Sequence, residues 1–156
     1  MNAADATSAD ELTISDDRAR LDVSMIENFL RASYWAPNIP REIVERSIEN
    51  SLCFGAYLGA QQIGFARVIT DYATFGYLAD VFVLPEHQGR GIAKRLVAAI
   101  IDDPRLQHLR RLLLATRDAH GLYARFGFEP LATPADFMSI HRPDVYSQNH
   151  ETRPQR

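Results

Sequence analysis

The chain has 156 residues, 46% of them hydrophobic and 24% charged, with a formal net charge of −3. Those values describe one ordinary globular domain and exclude wholesale disorder, collagen and coiled coil. A chain with excess acid carries no global nucleic-acid footprint, and its longest apolar runs, Val97–Ile101 and the Asp80-interrupted Tyr77–Leu84, fall far short of the ~20 residues of a membrane span.

Residues 1–10 and 147–156 are small and polar and are expected to be disordered tails around a single domain over residues 11–146. No basic-then-apolar leader opens the chain, and the lone Cys53 has no partner for an internal disulfide; both point to a reducing cytoplasm. Leu12 and Ile14 alternate with polar residues, a short strand. Asp16 and Asp17 can cap a helix whose apolar stripe is Leu21, Met25, Ile26, Phe29 and Leu30. A Pro-flanked loop over Ser33–Pro40 leads to a second helix over Arg41–Asn50. Leu52–Leu58 and Ile63–Ile69 read as a hairpin around Gly59–Gln62, and a second turn at Asp71–Gly76 leads into a strand over Tyr77–Leu84. From Gly89 the pattern is helical until Pro104. Leu112–Ala115 reads as a buried strand, Ala119–Phe126 as a short helix stopped by Gly127, and Phe128–Leu131 and Phe137–Ile140 as two closing strands. Hairpins first and a β-α-β-α unit later make an α/β (α+β) mixed sheet with helices on its faces.

The segment with chemical content is Val81–Leu96, VFVLPEHQGRGIAKRL, a strand running through a glycine turn into an amphipathic helix. Gly89 and Gly91 clear side chains from the helix start, where unpaired N–H groups and the positive dipole end favour an anion such as a pyrophosphate. Arg90, Lys94 and Arg95 add charge nearby. A tight turn that merely needs glycine is the plainer alternative. The P-loop spacing is absent. The dinucleotide fingerprint fails too, because Lys94 stands where its third glycine belongs and the strand LLLAT ends without a carboxylate.

Gln88-Gly89-Arg90-Gly91-Ile92-Ala93 resembles the Q/R-x-x-G-x-G/A signature of the GNAT superfamily, the GCN5-related N-acetyltransferases, and it follows a strand ending in V-x-P, as in that family. Gly121–Leu131, GLYARFGFEPL, is similar to the family's L-Y-x-x-x-G-F segment. The likeness covers roughly Leu12 to Ile140, and YLADVFV is also similar to the matching strand of polyamine acetyltransferases. It implies a mostly antiparallel sheet with a splayed parallel strand pair, the acyl-CoA N-acyltransferase fold. It implies acetyl-CoA as co-substrate, with its pantetheine arm on the main chain of Phe82, Val83 and Leu84 and its pyrophosphate on the N–H groups from Gln88 through Gly89, Arg90, Gly91 and Ile92 to Ala93, beside Lys94. It implies further that a main-chain N–H near Val83 stabilises the thioester oxyanion and that Tyr123 protonates the departing thiolate. A phenol of pKa ≈ 10 is still protonated at pH 7, as that role requires. Without the motif, Tyr123 reads first as a packing residue on a short helix.

The reaction so implied is acetyl transfer to a primary amine, on a small or polyamine-like molecule or a peptide, by direct attack in a ternary complex. The amine must attack uncharged, and deprotonating a Lys-like ammonium at pH 7 costs about 4.6 kcal/mol, so a base is expected. Candidates are Asp80, Tyr77, Glu86 and His120. Asp80 is one charge inside an apolar strand, with a structural aspartate as the alternative. Strand alternation sets Tyr77, Ala79, Val81 and Val83 on one face and Leu78, Asp80, Phe82 and Leu84 on the other. Many members carry an asparagine where this chain has Thr116, and Asp118 can instead cap the short helix. Tyr34, Trp35, Asp71 and Tyr72, with Tyr77, are the expected acceptor contacts, since aromatic faces beside acids suit a cationic amine. Partners other than that amine, whether nucleic acid, membrane or metal, have no support in the pattern. Homodimers are common among such proteins, and no residue here specifies one. A silent CoA-binding module and a generic α/β domain are the rival readings.

Overall fold

Two successive hairpins lay down three antiparallel strands, the N-terminal strand pairs antiparallel with the first of them after a two-helix connection, and a helical crossover adds a fifth strand parallel to the last. The computed structural model describes residues 11–147, so the expected tail at 1–10, and all of 147–156 except Ser147, lie outside the described residues. The strands are β1 (Leu12–Ser15), β2 (Leu52–Leu58), β3 (Gln61–Thr70), β4 (Phe75–Val83) and β5 (Arg111–Leu114). They lie in the sheet in that order. β1–β2, β2–β3 and β3–β4 are antiparallel. β4–β5 is parallel, in register from Phe75 opposite Arg111 to Leu78 opposite Leu114. Beyond Leu78 the two strands part, and the rest of β4 has an open edge.

The helices are α1 (Val23–Ala32), α2 (Arg41–Glu49), α3 (Ile92–Ile101) and α4 (His120–Ala124). Asp17 accepts from Ala19 N–H in a short 3-10 turn, while Asp22, whose carboxylate accepts from Met25 N–H, is the residue that caps α1. Each sheet face has its own core. One gathers Phe54, Ile63, Val68, Leu78 and Val83 under Leu96 and Ile100 of α3 and reaches Tyr123 of α4. The other gathers Ile26, Leu30, Val44 and Ile48 of α1 and α2 over Cys53, Phe65 and Phe82.

β4 departs from simple alternation. Phe65 pairs with Phe82 but Arg67 pairs with Ala79, so β4 carries one extra residue there, and Asp80 sits at φ 54°. A bulge of this kind flips every later side chain to the other face. Leu78 and Phe82, expected on one face, therefore enter different cores, and Val83 joins Leu78 against α3.

The two closing strands expected at Phe128–Leu131 and Phe137–Ile140 do not form. From Glu129 to Ser147 the main chain hydrogen-bonds only within its own turns. Pro130 and Pro134 remove donors a ladder needs, and although Phe137 lies against Arg111 of β5, the segment's main chain makes no hydrogen bond to that strand.

Candidate functional site

The departure of β5 from β4 opens a groove of about 1020 Å³. Its floor is β4; one wall is the glycine turn and the start of α3; the other is the α1–α2 loop. β5's continuation and α4 close it opposite β4.

At one end the walls are main chain. Gly89 and Gly91 have φ of 79° and 75°, and a Cβ at either would meet nothing within 4 Å, so glycine is needed for the backbone angle and not for space. Gly91 is the N-cap of α3 and no side chain caps the helix. Among the described residues the N–H groups of Gly89, Arg90 and Gly91 have no acceptor, and those of Ile92, Ala93 and Lys94 are free by helix geometry. The Gln88 N–H differs: it bonds Pro85 O at 3.3 Å. Its side chain turns back to donate to Val83 O at 3.1 Å. His87 lines the same end, and its buried Nδ1 has no partner among the described residues. Unpaired donors and an orphaned ring nitrogen around a glycine turn fit the diphosphate of a coenzyme A thioester.

In mid-groove, Leu84 N–H bonds Ile63 O at 2.8 Å. Gly64 and Val83 are therefore a pair that does not exchange ladder bonds, which turns the Val83 N–H away from β3 and into the open edge. Tyr123 lines the groove from α4, buried, with Phe128 edge-on at 5.8 Å. Burial foremost, then Tyr34 and Asp118, push its phenol above the ordinary value. The phenol is thus protonated throughout the neutral range.

The other end is made of side chains. Asp80 accepts from Trp35 Nε1 at 2.9 Å through one oxygen and from Arg67 Nε at 2.5 Å through the other. Arg67 continues to Ser51 Oγ at 3.0 Å. The bulge aims Asp80 so that one carboxylate ties strand β3 to the α1–α2 loop. Tyr34 meets Trp35 edge-on at 5.0 Å, and the Arg117 guanidinium lies 3.9 Å over the Tyr34 ring, bridging the groove's two walls. His141 and Tyr146 reach this end from the C-terminal segment.

The groove thus brings together Tyr34, Trp35, Tyr77, Asp80, Phe82, Val83, Gln88, Gly89, Gly91, Ile92, Ala93, Lys94 and Tyr123. Four expected residues lie off it. Asp71 accepts the N–H groups of Ala73, Thr74 and Phe75 and the Thr74 hydroxyl, bonds that shape the β3–β4 turn and hold its carboxyl well below the usual range. Tyr72 follows it at φ 60°, in that exposed turn. Leu84 gives its N–H to the sheet and its side chain to a neighbouring hollow beside Phe29. Arg90's side chain projects outward from the turn. Glu86 and His120, the other candidate bases, also stay outside. Asp118 does not cap α4; the Thr116 hydroxyl instead accepts from Ala119 N–H at 3.0 Å.

Residues 20–128 match the model of the acetyltransferase (GNAT) family. The chain belongs to the GNAT family. A GNAT-family protein of Xanthomonas campestris pv. campestris superposes with a TM-score of 0.85 at 51% identity, covering 88% of this chain and 97% of that one. A Gibberella zeae protein that bears an acetyltransferase name is 33% identical over 135 aligned positions, covering 72% of this chain and 75% of its own. A Clostridium acetobutylicum structure solved with acetyl-CoA shares the fold at 17% identity, with a TM-score of 0.64 over 84% of this chain and 95% of that one. As a GNAT-family member the chain is an acyltransferase, and acetyl-CoA is the donor the family uses.

Sequence reasoning missed Arg67, Arg117, His141 and Tyr146 as groove residues. Arg67 carried a usable signal: it is the lone charge in β3, as Asp80 is in β4, and two opposite lone charges on neighbouring antiparallel strands find each other. His141 carried none, because its position depends on where an irregular segment runs.

Proposed function

We propose that this protein transfers the acetyl group of acetyl-CoA to a primary amine by direct attack within a ternary complex. The observation that carries the reading is the continuity of the groove. It runs from free backbone donors, past the inward Val83 N–H and Tyr123, to an aromatic end with room for a second molecule.

The free N–H groups of Gly89 to Lys94 hold the diphosphate, and the open edge of β4 receives the amide-bearing arm as an added strand would be received. The Val83 N–H faces the developing oxyanion. The amine lone pair attacks the carbonyl carbon, a C–N bond forms and the C–S bond breaks. The thiolate takes the Tyr123 proton, the amine's surplus proton leaves to water, and water returns a proton to the tyrosinate. With both oxygens bonded, Asp80 is a positioning residue that holds Trp35 over the acceptor end.

Arg67 and Arg117 there balance Asp80 and Asp118, so a polycation meets no excess of negative charge. The reading therefore favours an acceptor with one amino group, on a small molecule or a peptide terminus, over a polyamine. The single buried thiol Cys53 fits a cytoplasmic setting. The test is thiol release from acetyl-CoA against a panel of polyamines, aminoglycosides, amino acids and peptides, with product mass as confirmation. Turnover of a monoamine is the expected result; binding of acetyl-CoA with no product anywhere on the panel overturns the assignment.

A further inference from the structure

The acceptor end holds one cation and one anion that the protein leaves unspent. Asp80 and Arg67 are bonded to each other, and each has a further partner, Trp35 for the one and Ser51 for the other. Arg117 and Asp118, successive residues of the β5–α4 loop, both line the groove and are both exposed. They make no ion pair with each other or with any other described residue, and neither side chain takes part in a hydrogen bond among the described residues.

The guanidinium is nonetheless held in place. Its carbon lies 3.9 Å from the centroid of the Tyr34 ring, a face contact that fixes the group while its N–H edge keeps its donors free. A fork of N–H groups on a rigid support is a receptor for a carboxylate. Tyr34 and Asp118 both raise the Tyr123 phenol through space, so the fork opens close to the reacting centre. We propose that the acceptor site takes a free α-amino acid: Arg117 receives its carboxylate, and Asp118 draws in its ammonium end before the proton is shed. This rests on the acetyl transfer proposed above and decides between its two kinds of acceptor, because a peptide terminus has an amide where the free amino acid has a carboxylate. The bonds made and broken are those of that transfer, with the amino acid's nitrogen as nucleophile and its carboxylate ionised throughout. Two successive side chains of opposite sign match a zwitterion, whereas a polyamine brings a second cation to Arg117.

Thiol release from acetyl-CoA is measured with the common L-amino acids, each beside its amide, and with phosphoethanolamine, in wild type, Arg117→Met and Arg117→Lys. Wild type prefers the acid to the amide in kcat/KM. Arg117→Met lowers that preference about a hundredfold, the scale of a bidentate charged contact, through KM for the acid alone. Arg117→Lys keeps a charge without the fork and falls between. Comparing the acid-to-amide ratio between proteins cancels the amide's easier deprotonation, which every variant shares, and any loosening of Tyr34, which every acceptor shares. A ratio unchanged by Arg117→Met, amides used as well as acids by wild type, or a preference for phosphoethanolamine overturns the proposal and leaves acetyl transfer in place. If no acceptor releases thiol, acetyl transfer itself fails, and calorimetry of the same amino acids against protein saturated with coenzyme A decides. Binding that Arg117→Met loses supports the carboxylate site; binding that is absent, or equal in the two proteins, overturns it.

Discussion

The two ends of the groove are built from different materials. The end that fits the diphosphate is main chain: free N–H groups, two left-handed glycines and the start of one helix, all within Gln88–Lys94. The acceptor end is side chain, drawn from β3, β4, the α1–α2 loop, the β5–α4 loop and the C-terminal segment. A backbone cradle is a local object, fixed by a few residues and tolerant of what surrounds it. A side-chain cluster exists only once the whole sheet has closed, so it varies wherever any contributing segment varies. That division predicts substitutions at one end that leave the other untouched.

The largest separation comes from Gly91→Glu. The position has space, so the fold survives with about 1–2 kcal/mol of strain for a side chain at positive φ, but a carboxylate now faces the diphosphate. Acetyl-CoA affinity falls on the order of a thousandfold, several kcal/mol of like-charge contact, as read by calorimetry. Gly91→Ala keeps only the strain, which free and bound protein share, so stability falls while affinity stays within about tenfold of wild type. Near-normal binding by the glutamate variant breaks the backbone-cradle side of the contrast.

Tyr123→Phe probes the junction. It keeps the packing against Phe128 and removes the proton donor, so kcat falls about a hundredfold while acetyl-CoA affinity stays put. Because burial raises the phenol, the wild-type acid is protonated at all neutral pH values, and its loss limits turnover only at pH values above the ordinary phenol range. A basic limb below that range takes the acid role from Tyr123.

Asp80→Asn isolates the acceptor end. Asparagine tolerates the bulge's positive φ and can still accept from Trp35, but it loses the ion pair with Arg67. Acceptor KM rises about tenfold, the cost of a charged hydrogen bond, with acetyl-CoA affinity unchanged. Asp80→Leu also strands a mostly buried guanidinium and costs about 3–5 kcal/mol of stability. Removing Arg67 in the same chain with Arg67→Met recovers much of that. If the asparagine variant loses acetyl-CoA binding instead, the two ends are not separable.

The same division governs how far the sequence could be read. β2 falls at Leu52–Leu58, as its pattern requires, and α3 follows the glycine turn, because periodicity and turn chemistry are local. Boundaries elsewhere move by one to three residues as pairing partners extend or trim a strand. The bulge at Asp80 is invisible locally, since VFVL alternates well until β3 pairs one residue out of step. Asp71 looked like a binding carboxylate because residue type alone cannot tell an outward acid from one that accepts its own turn's N–H groups. The expected strands at Phe128–Leu131 and Phe137–Ile140 had the right residues but no backbone pairing, and a strand is a property of a pair.

The smallest expected effect tests the floor of the acceptor end. Cys53 lies in the core beneath Arg67 and Asp80, 4% exposed, with its Sγ 3.7 Å from Ile48 O and Ser51 O. Burial pushes its thiol up to about 11, against the opposing pull of Arg67 and Arg18. Below its ordinary value near 9 the thiol is protonated in folded and unfolded chains alike and affects nothing. Between about 9 and 11 the unfolded chain releases the proton and the folded chain keeps it, so stability falls as pH rises, by about 3 kcal/mol in all. Cys53→Val removes that slope while filling the same space. Urea midpoints for wild type and variant at about pH 8 and about pH 10.5 give the difference. Tyr57, also raised by burial, is common to both chains and cancels. Equal losses in the two proteins mean that water reaches the floor under Asp80, and the acceptor end is then as open as the glycine turn.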